Sequence, residues 1–144
     1  MITVRHILQG KGGLAWSVAP DTTVYDALKL MAEKNLGAVI VLQGDKLVGI
    51  FSERDYARKV ILKGKSSKET TVEEIMTSDV VTVEARHSIE ECMAMMTSKR
   101  IRHLPVVEAE KIVGVISIGD IVKAIISDQE YTIKQLESYI TGTR

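Results

Sequence analysis

Cys92 is the chain's one cysteine, so no internal disulfide is available, and the N-terminal stretch MITVRHILQG shows no basic segment followed by an apolar signal core. A reducing cytoplasm is the expected setting. His6, His87 and His103 do not combine with Cys92 at zinc-ligand spacing. Cys92 instead sits in the helical apolar pattern Cys92-Met93-Met96, so core packing is expected for it and, as gap-fillers, for Met93, Met95 and Met96. Nineteen basic residues balance nineteen acidic ones, and no global charge steers the protein toward nucleic acid or an anionic membrane. The short basic run Lys63 to Lys68, with Arg58 and Lys59 nearby, lacks interleaved aromatics and leaves nucleic-acid binding a minor alternative. Apolar runs such as GAVIVL fall far short of the eighteen or so residues that span a bilayer.

What is present is a globular composition, 45% hydrophobic and 26% charged over 144 residues, enough for one domain or for two small halves sharing a core. The sequence repeats itself. Gly49, Ser52 and Asp55 recur as Gly114, Ser117 and Asp120, each pair 65 positions apart (114−49, 117−52, 120−55), and the offset holds without a gap from Ala15 to Ile61. Upstream the offset becomes 68, between Ile7-Leu8 and Ile75-Met76, so Gly10-Lys11-Gly12-Gly13 reads as a three-residue insertion. It lacks the Walker pattern of a phosphate loop.

Each copy reads as strand, helix, strand, strand, helix, an α+β unit with a small mixed three-stranded sheet. In the first copy Ala15 to Val18 is a strand, and Pro20 to Thr23 leads into a helix carrying Leu28, Met31, Ala32 and Leu36 at helical spacing. Ala38 to Leu42 and Leu47 to Phe51 form a hairpin about Gly44-Asp45, and a helix begins after Ser52. The second copy repeats this from Val80, turning near Ala109-Glu110. The expected organisation is one repeat over 1–64, a polar linker over 65–71, a second repeat over 72–127, and a terminal helix over 128–144. That helix carries Tyr131, Ile133, Leu136, Tyr139 and Ile140, an apolar face in need of a partner.

The run Ile75-Met76-Thr77, Val80 to Val83, Arg100 to Val107 and Ile112 to Asp120 resembles a cystathionine-beta-synthase (CBS) domain from end to end. The first copy is similar through Gly49-Ile50-Phe51-Ser52-Glu53-Arg54-Asp55 but lacks the proline that Pro105 supplies in the second. The resemblance covers about 110 residues, the two repeats together. It implies a pseudo-twofold pair, or Bateman module, with two clefts that take an adenine nucleotide: AMP, ADP, ATP or NAD(H), with S-adenosylmethionine in some relatives. It also implies a disc-like homodimer, a regulated enzyme partner and no catalysis or catalytic cofactor of its own.

The repeated Gly-x-x-Ser-x-x-Asp has a chemistry of its own. Ser52 and Ser117 stand where helices start, with free backbone N–H groups that favour phosphate. Asp55 and Asp120 are acceptors suited to the two hydroxyls of a ribose, and Gly49 and Gly114 leave room on the preceding strand. The same spacing also makes a helix capping box, as in Thr23-x-x-Asp26 and Ser88-x-x-Glu91, so a purely structural role stays open.

By the geometry that the resemblance implies, one cleft joins Ser52, Arg54 and Asp55 to Val81, Arg102 and His103. The other joins Ser117 and Asp120 to Trp16, Gly37 and Ala38. The first carries cations for a di- or triphosphate, although Arg102 and His103 also fit a solvated edge. In the second, Trp16 suits either adenine stacking or the core. No nucleophile, base and orienting group assemble in the sequence. The leading expectation is a nucleotide sensor; the alternative is an interaction module with vestigial clefts.

Overall fold

A computed structural model of the protein describes residues 1–11 and 15–141. The proposed insertion falls partly at 12–14, outside the described residues. The first repeat contains β1 (Ser17–Val18), α2 (Val24–Lys34), β2 (Ala38–Gln43), β3 (Lys46–Ser52) and a helical segment made of α3 (Glu53–Asp55) and a π-helical stretch, Tyr56–Ile61. The second contains α5 (Ile89–Lys99), β4 (His103–Glu108), β5 (Lys111–Ser117) and α6 (Ile118–Thr141). Two short lead-in helices precede them, α1 (Val4–Lys11) and α4 (Val72–Ile75).

The first sheet is mixed, with β1 parallel to β2 and β2 antiparallel to β3. In the second copy the expected first strand shrinks to one parallel bridge, Val83 to Val106, beside the β4–β5 hairpin. The register irregularity at Val41/Leu42 recurs at Val106/Val107, the same place in each repeat. Ala38 to Val41 alternate with neither face wet, all four being buried, as the apolar run predicts.

Helix boundaries follow the capping chemistry. Thr23 Oγ1 accepts from Asp26 N and Ser88 Oγ from Glu91 N, and both helices close on a left-handed residue, Asn35 or Arg100. The remaining N-terminal amides of α2 are satisfied from a distance: Val24 N donates to Thr70 O and Tyr25 N to Ser67 O. The expected flexible linker is therefore docked, with Thr70 buried and Lys68 over the Tyr25 ring.

The lead-in helices are exchanged. Val72 and Ile75 of α4 pack among Val24, Val39 and Phe51 of the first repeat, whereas Val4 and Ile7 of α1 pack among Cys92, Leu104 and Ile116 of the second. Each core is completed by the segment that precedes the other repeat, which ties the halves together by burial of apolar surface. Cys92 and Met96 lie in that second core as expected, and Met95 packs partly against it. Met93 does not: at its place on α5 it faces outward.

Two further departures concern α6. It runs unbroken through the expected boundary at 127/128, since Ser127 and Asp128 interrupt the apolar pattern without supplying a breaker. Tyr131 lies on the opposite side from Ile133, because two residues turn an α-helix through about 200°.

Candidate functional site

Between the two repeats lies a cavity of about 460 Å³. Its wall includes Ser52, Arg54 and Asp55 at the end of β3 and start of α3, Val81 before the second repeat's sheet, and Arg102 and His103 at the entrance to β4. The six residues expected in one cleft are thus neighbours around one space. Arg58, Asp79, Val80 and Ile101 also line it, residues that were not expected in either cleft. Arg58 lies four residues beyond Arg54, one turn on, which was the available signal. Gly37, expected in the opposite cleft, lines this one instead: a Cβ there would stand 3.2 Å from His103 Nε2. The reason is that the entrances of β2 and β4 abut across the pseudo-twofold axis.

The helix terminus is already occupied. Glu53 N donates to Gly37 O, and Asp55 N to Ser52 Oγ, so two of the first three amides of α3 are taken. The same holds in the second repeat, where Ile118 N donates to Arg102 O and Asp120 N to Ser117 Oγ. The expected amide nest for phosphate is largely consumed by these bonds.

Asp55 is buried and its carboxylate is fully engaged. Oδ2 accepts from Ser52 N at 2.9 Å and Ser52 Oγ at 3.1 Å, while Oδ1 accepts from Thr77 Oγ1 at 3.2 Å and pairs with Lys59 Nζ at 3.0 Å. Both the capping-box geometry and an ion pair are realised, so a ribose would have to displace Lys59 or Thr77. Lys59 also donates to Ile75 O, which fixes it on α4.

Arg54 Nη1 donates to Arg100 O and is otherwise exposed, leaving guanidinium edge toward the cavity. His103 is held below the usual imidazole range, first by burial and then by the positive charge of Lys11, against an opposing pull from Asp120 that exceeds the further push from Arg102. The shift disfavours its positive charge, so the cationic wall of the cavity rests mainly on the arginines.

The residues expected in the opposite cleft have different surroundings. Lys11, at the end of α1, places Nζ 2.8 Å from both Asp120 Oδ2 and Val115 O. Burial raises the Asp120 pKa, but the hydrogen bonds from Lys11 and Ser117 outweigh it and hold the carboxyl below its ordinary value. Trp16 is half-buried beneath Lys34 Nζ, 4.4 Å from its ring centroid, so its face is covered by a cation. Ala38 is buried opposite Ser52 in the β2–β3 ladder.

The glycines of the repeated motif prove to be packing sites. A Cβ on Gly49 would collide with Met76 of the exchanged segment, and one on Gly114 would stand 2.5 Å from Leu8 Cδ2. The room that these glycines leave is filled by the lead-in segments, not offered to a ligand.

The sequence pattern of the CBS domain matches residues 15–62 and 72–127. An Arabidopsis thaliana protein, "CBS domain-containing protein CBSX3, mitochondrial", is 39% identical over 97% of this chain and 72% of its own. A Burkholderia ambifaria protein with CBS domains has a solved structure that is 54% identical, covers 88% of this chain and 96% of its own, and superposes with a TM-score of 0.85. The CBS domain pair of protein MJ0100, solved in complex with 5'-methylthioadenosine and S-adenosyl-L-methionine, is 25% identical over 85% of this chain and 98% of its own, with a TM-score of 0.75.

Proposed function

The chain belongs to the CBS-domain family as a tandem pair, and from that premise we propose that it is a regulatory module whose open cleft binds an adenine nucleotide. The observation that carries this reading is one cavity with two kinds of wall. Arg54, Arg58 and Arg102 supply three guanidinium groups, while Val80, Val81 and Ile101 supply an apolar surface. About 460 Å³ lies within the usual range of roughly 300–1,000 Å³ for small-molecule sites. A planar base fits the apolar side and a phosphate chain the arginine side. That a CBS pair of similar fold holds two adenosine-containing ligands supports the adenosyl half of the reading.

AMP, ADP, ATP and NAD(H) are the proposed ligands, with the di- and triphosphates favoured by the arginines. Ser52, Arg54, Asp55, Val81, Arg102 and His103 are the proposed contacts. Ligand binding favours one arrangement of the two repeats, which a partner enzyme then reads. The module performs no chemistry in this reading, and its setting is the cytoplasm. Among the described residues no helix is long and apolar enough to cross a membrane.

Thermal denaturation of the full chain with AMP, ADP, ATP, NAD, NADH or S-adenosylmethionine tests the proposal. A ligand at a hundred times its Kd stabilises by about 2.7 kcal/mol. Replacing Arg102 with Gln should weaken ATP more than AMP. If none of the six moves the midpoint at millimolar concentration, the reading fails.

A second reading has its own support, since the Asp55 acceptors are all filled and Lys11 is bound to Asp120. In it the clefts are vestigial and the protein is an interaction module. Unaltered partner binding by an Asp55→Ala, Asp120→Ala double variant would favour it.

A further inference from the structure

Asp55 lines the cavity with every acceptor position of its carboxylate filled by the protein itself. A carboxylate offers about four lone-pair sites. Four donors reach this one: Ser52 N and Ser52 Oγ at Oδ2, Thr77 Oγ1 and Lys59 Nζ at Oδ1. A ligand donor therefore binds Asp55 only by exchange. The four donors differ in how readily they leave. Ser52 N and Oγ belong to the capping box that starts α3, and Ser52 Oγ also accepts from Asp55 N. Thr77 exchanges backbone hydrogen bonds with Ile50 in both directions, so its hydroxyl cannot withdraw with the main chain. Lys59 has a long flexible stem, 43% exposed, and it keeps Ile75 O as a partner when it lets go of the carboxylate.

The other repeat supplies an internal comparison. The position 65 residues after Lys59 (124−59) is Ala124, so α6 brings no cation to Asp120 from the matching place. A lysine reaches that carboxylate all the same. It is Lys11 from α1, and it too divides itself between the aspartate and a backbone carbonyl, Val115 O. Two unrelated positions thus give one arrangement, a lysine tethered to a carbonyl as the resident counter-ion of the motif aspartate.

On the nucleotide reading of the cavity, on which this rests, we propose that Lys59 is a displaceable occupant of the Asp55 carboxylate. It thereby sets the cavity's selectivity for ligands with a vicinal pair of hydroxyls, such as an unsubstituted ribose. Such a ligand places O–H donors on Oδ1 as the ammonium swings off it, and gains bonds to an ionised acceptor. A ligand without the hydroxyls leaves Lys59 where it is. Lys59 therefore opposes the ribose contact specifically.

The experiment is isothermal titration calorimetry of the full chain with AMP and with 2',3'-dideoxyadenosine 5'-monophosphate. Wild type, Lys59→Met and Lys59→Arg are compared, with circular dichroism to verify folding. Both compounds carry the same base and phosphate, so the loss of a charge at position 59 cancels in the ratio of their dissociation constants. That ratio should favour AMP at least about threefold more in Lys59→Met than in wild type. Lys59→Arg keeps a cation beside the carboxylate and should retain the wild-type ratio. AMP binding with an unchanged ratio in Lys59→Met overturns the inference and leaves the nucleotide reading standing. An equal rise in Lys59→Arg overturns it too, since packing rather than the cation would then be the cause. If AMP binds neither wild type nor Lys59→Met, the nucleotide reading fails and the role of Lys59 falls with it.

Discussion

Lys11 and Asp120 come from segments that are 109 residues apart in sequence, and their charged atoms meet at 2.8 Å. His103, which lines the first cleft, senses both of them. The cavity wall is therefore electrostatically linked to the Lys11–Asp120 pair through one imidazole. Lys11→Met removes a positive charge that disfavours the imidazolium and leaves Asp120, which favours it. The His103 pKa should rise, as followed by proton NMR of the ring across pH. The stability cost should be only about 1 kcal/mol or less, because the ammonium is partly exposed. An unchanged titration would mean that Lys11 does not sit where the structure has it.

Acid should destabilise the protein in two stages. His103 is depressed below its ordinary 6.5, so as pH falls through that value the unfolded chain takes up a proton that the folded one refuses, and stability declines. Asp120 is depressed below 3.8, so its contribution is present above that value and is lost as pH falls through the still lower folded value. Urea denaturation at a series of pH values should show both, and His103→Gln should flatten the first alone. A stability that rises between pH 7.5 and pH 5.5 would contradict the assignment.

Much of this was legible from residues alone. The 65-residue offset gave the repeat, and the Thr and Ser caps gave the helix starts, because both rest on local patterns. The six residues of the open cleft followed from the resemblance. The exchange of α1 and α4 was not legible: Ile7 and Ile75 announce a buried face but not which sheet covers it. The role of Gly49 and Gly114 was misread for the same reason, since the side chains that fill their space, Met76 and Leu8, lie 27 residues downstream and 106 upstream (76−49, 114−8). Lys11 was invisible because it belongs to the segment where the offset changes, so it has no partner in the other copy by which to judge it.

The two motif glycines should differ in their tolerance of a methyl group. A Cβ at Gly49 meets Met76 Cγ at 2.8 Å and the backbone carbonyl of Thr77 at 3.0 Å, and that carbonyl accepts from Ile50 N and cannot retreat freely. At Gly114 the only close atom is the end of the Leu8 side chain, which can change rotamer. Gly49→Ala should cost about 2–3 kcal/mol and Gly114→Ala about 1 kcal/mol. Urea midpoints measured side by side decide it, and an equal or larger loss at Gly114 would refute the packing argument.

The second hairpin offers a stabilising change. Glu108 pairs with Lys111, leaving a two-residue turn in which Ala109 has φ 49° and Glu110 has φ 67°. Both lie in the left-handed region, which costs an L-residue with a side chain roughly 1–2 kcal/mol and which glycine enters freely. The first hairpin places Gly44 at φ 63° at the position of Ala109, while Asp45, at the position of Glu110, has no positive φ, so the strain at Glu110 belongs to the second hairpin alone. Glu110→Gly should therefore stabilise the protein by about 0.5–1 kcal/mol after allowance for the greater freedom of glycine in the unfolded chain. On a domain of this size that is a rise in Tm of roughly 1–4 °C. Asp45→Gly, at a turn position without positive φ, is the control and should lower Tm or leave it unchanged. A gain at Asp45 equal to that at Glu110 would show that backbone strain at Glu110 is not the cause.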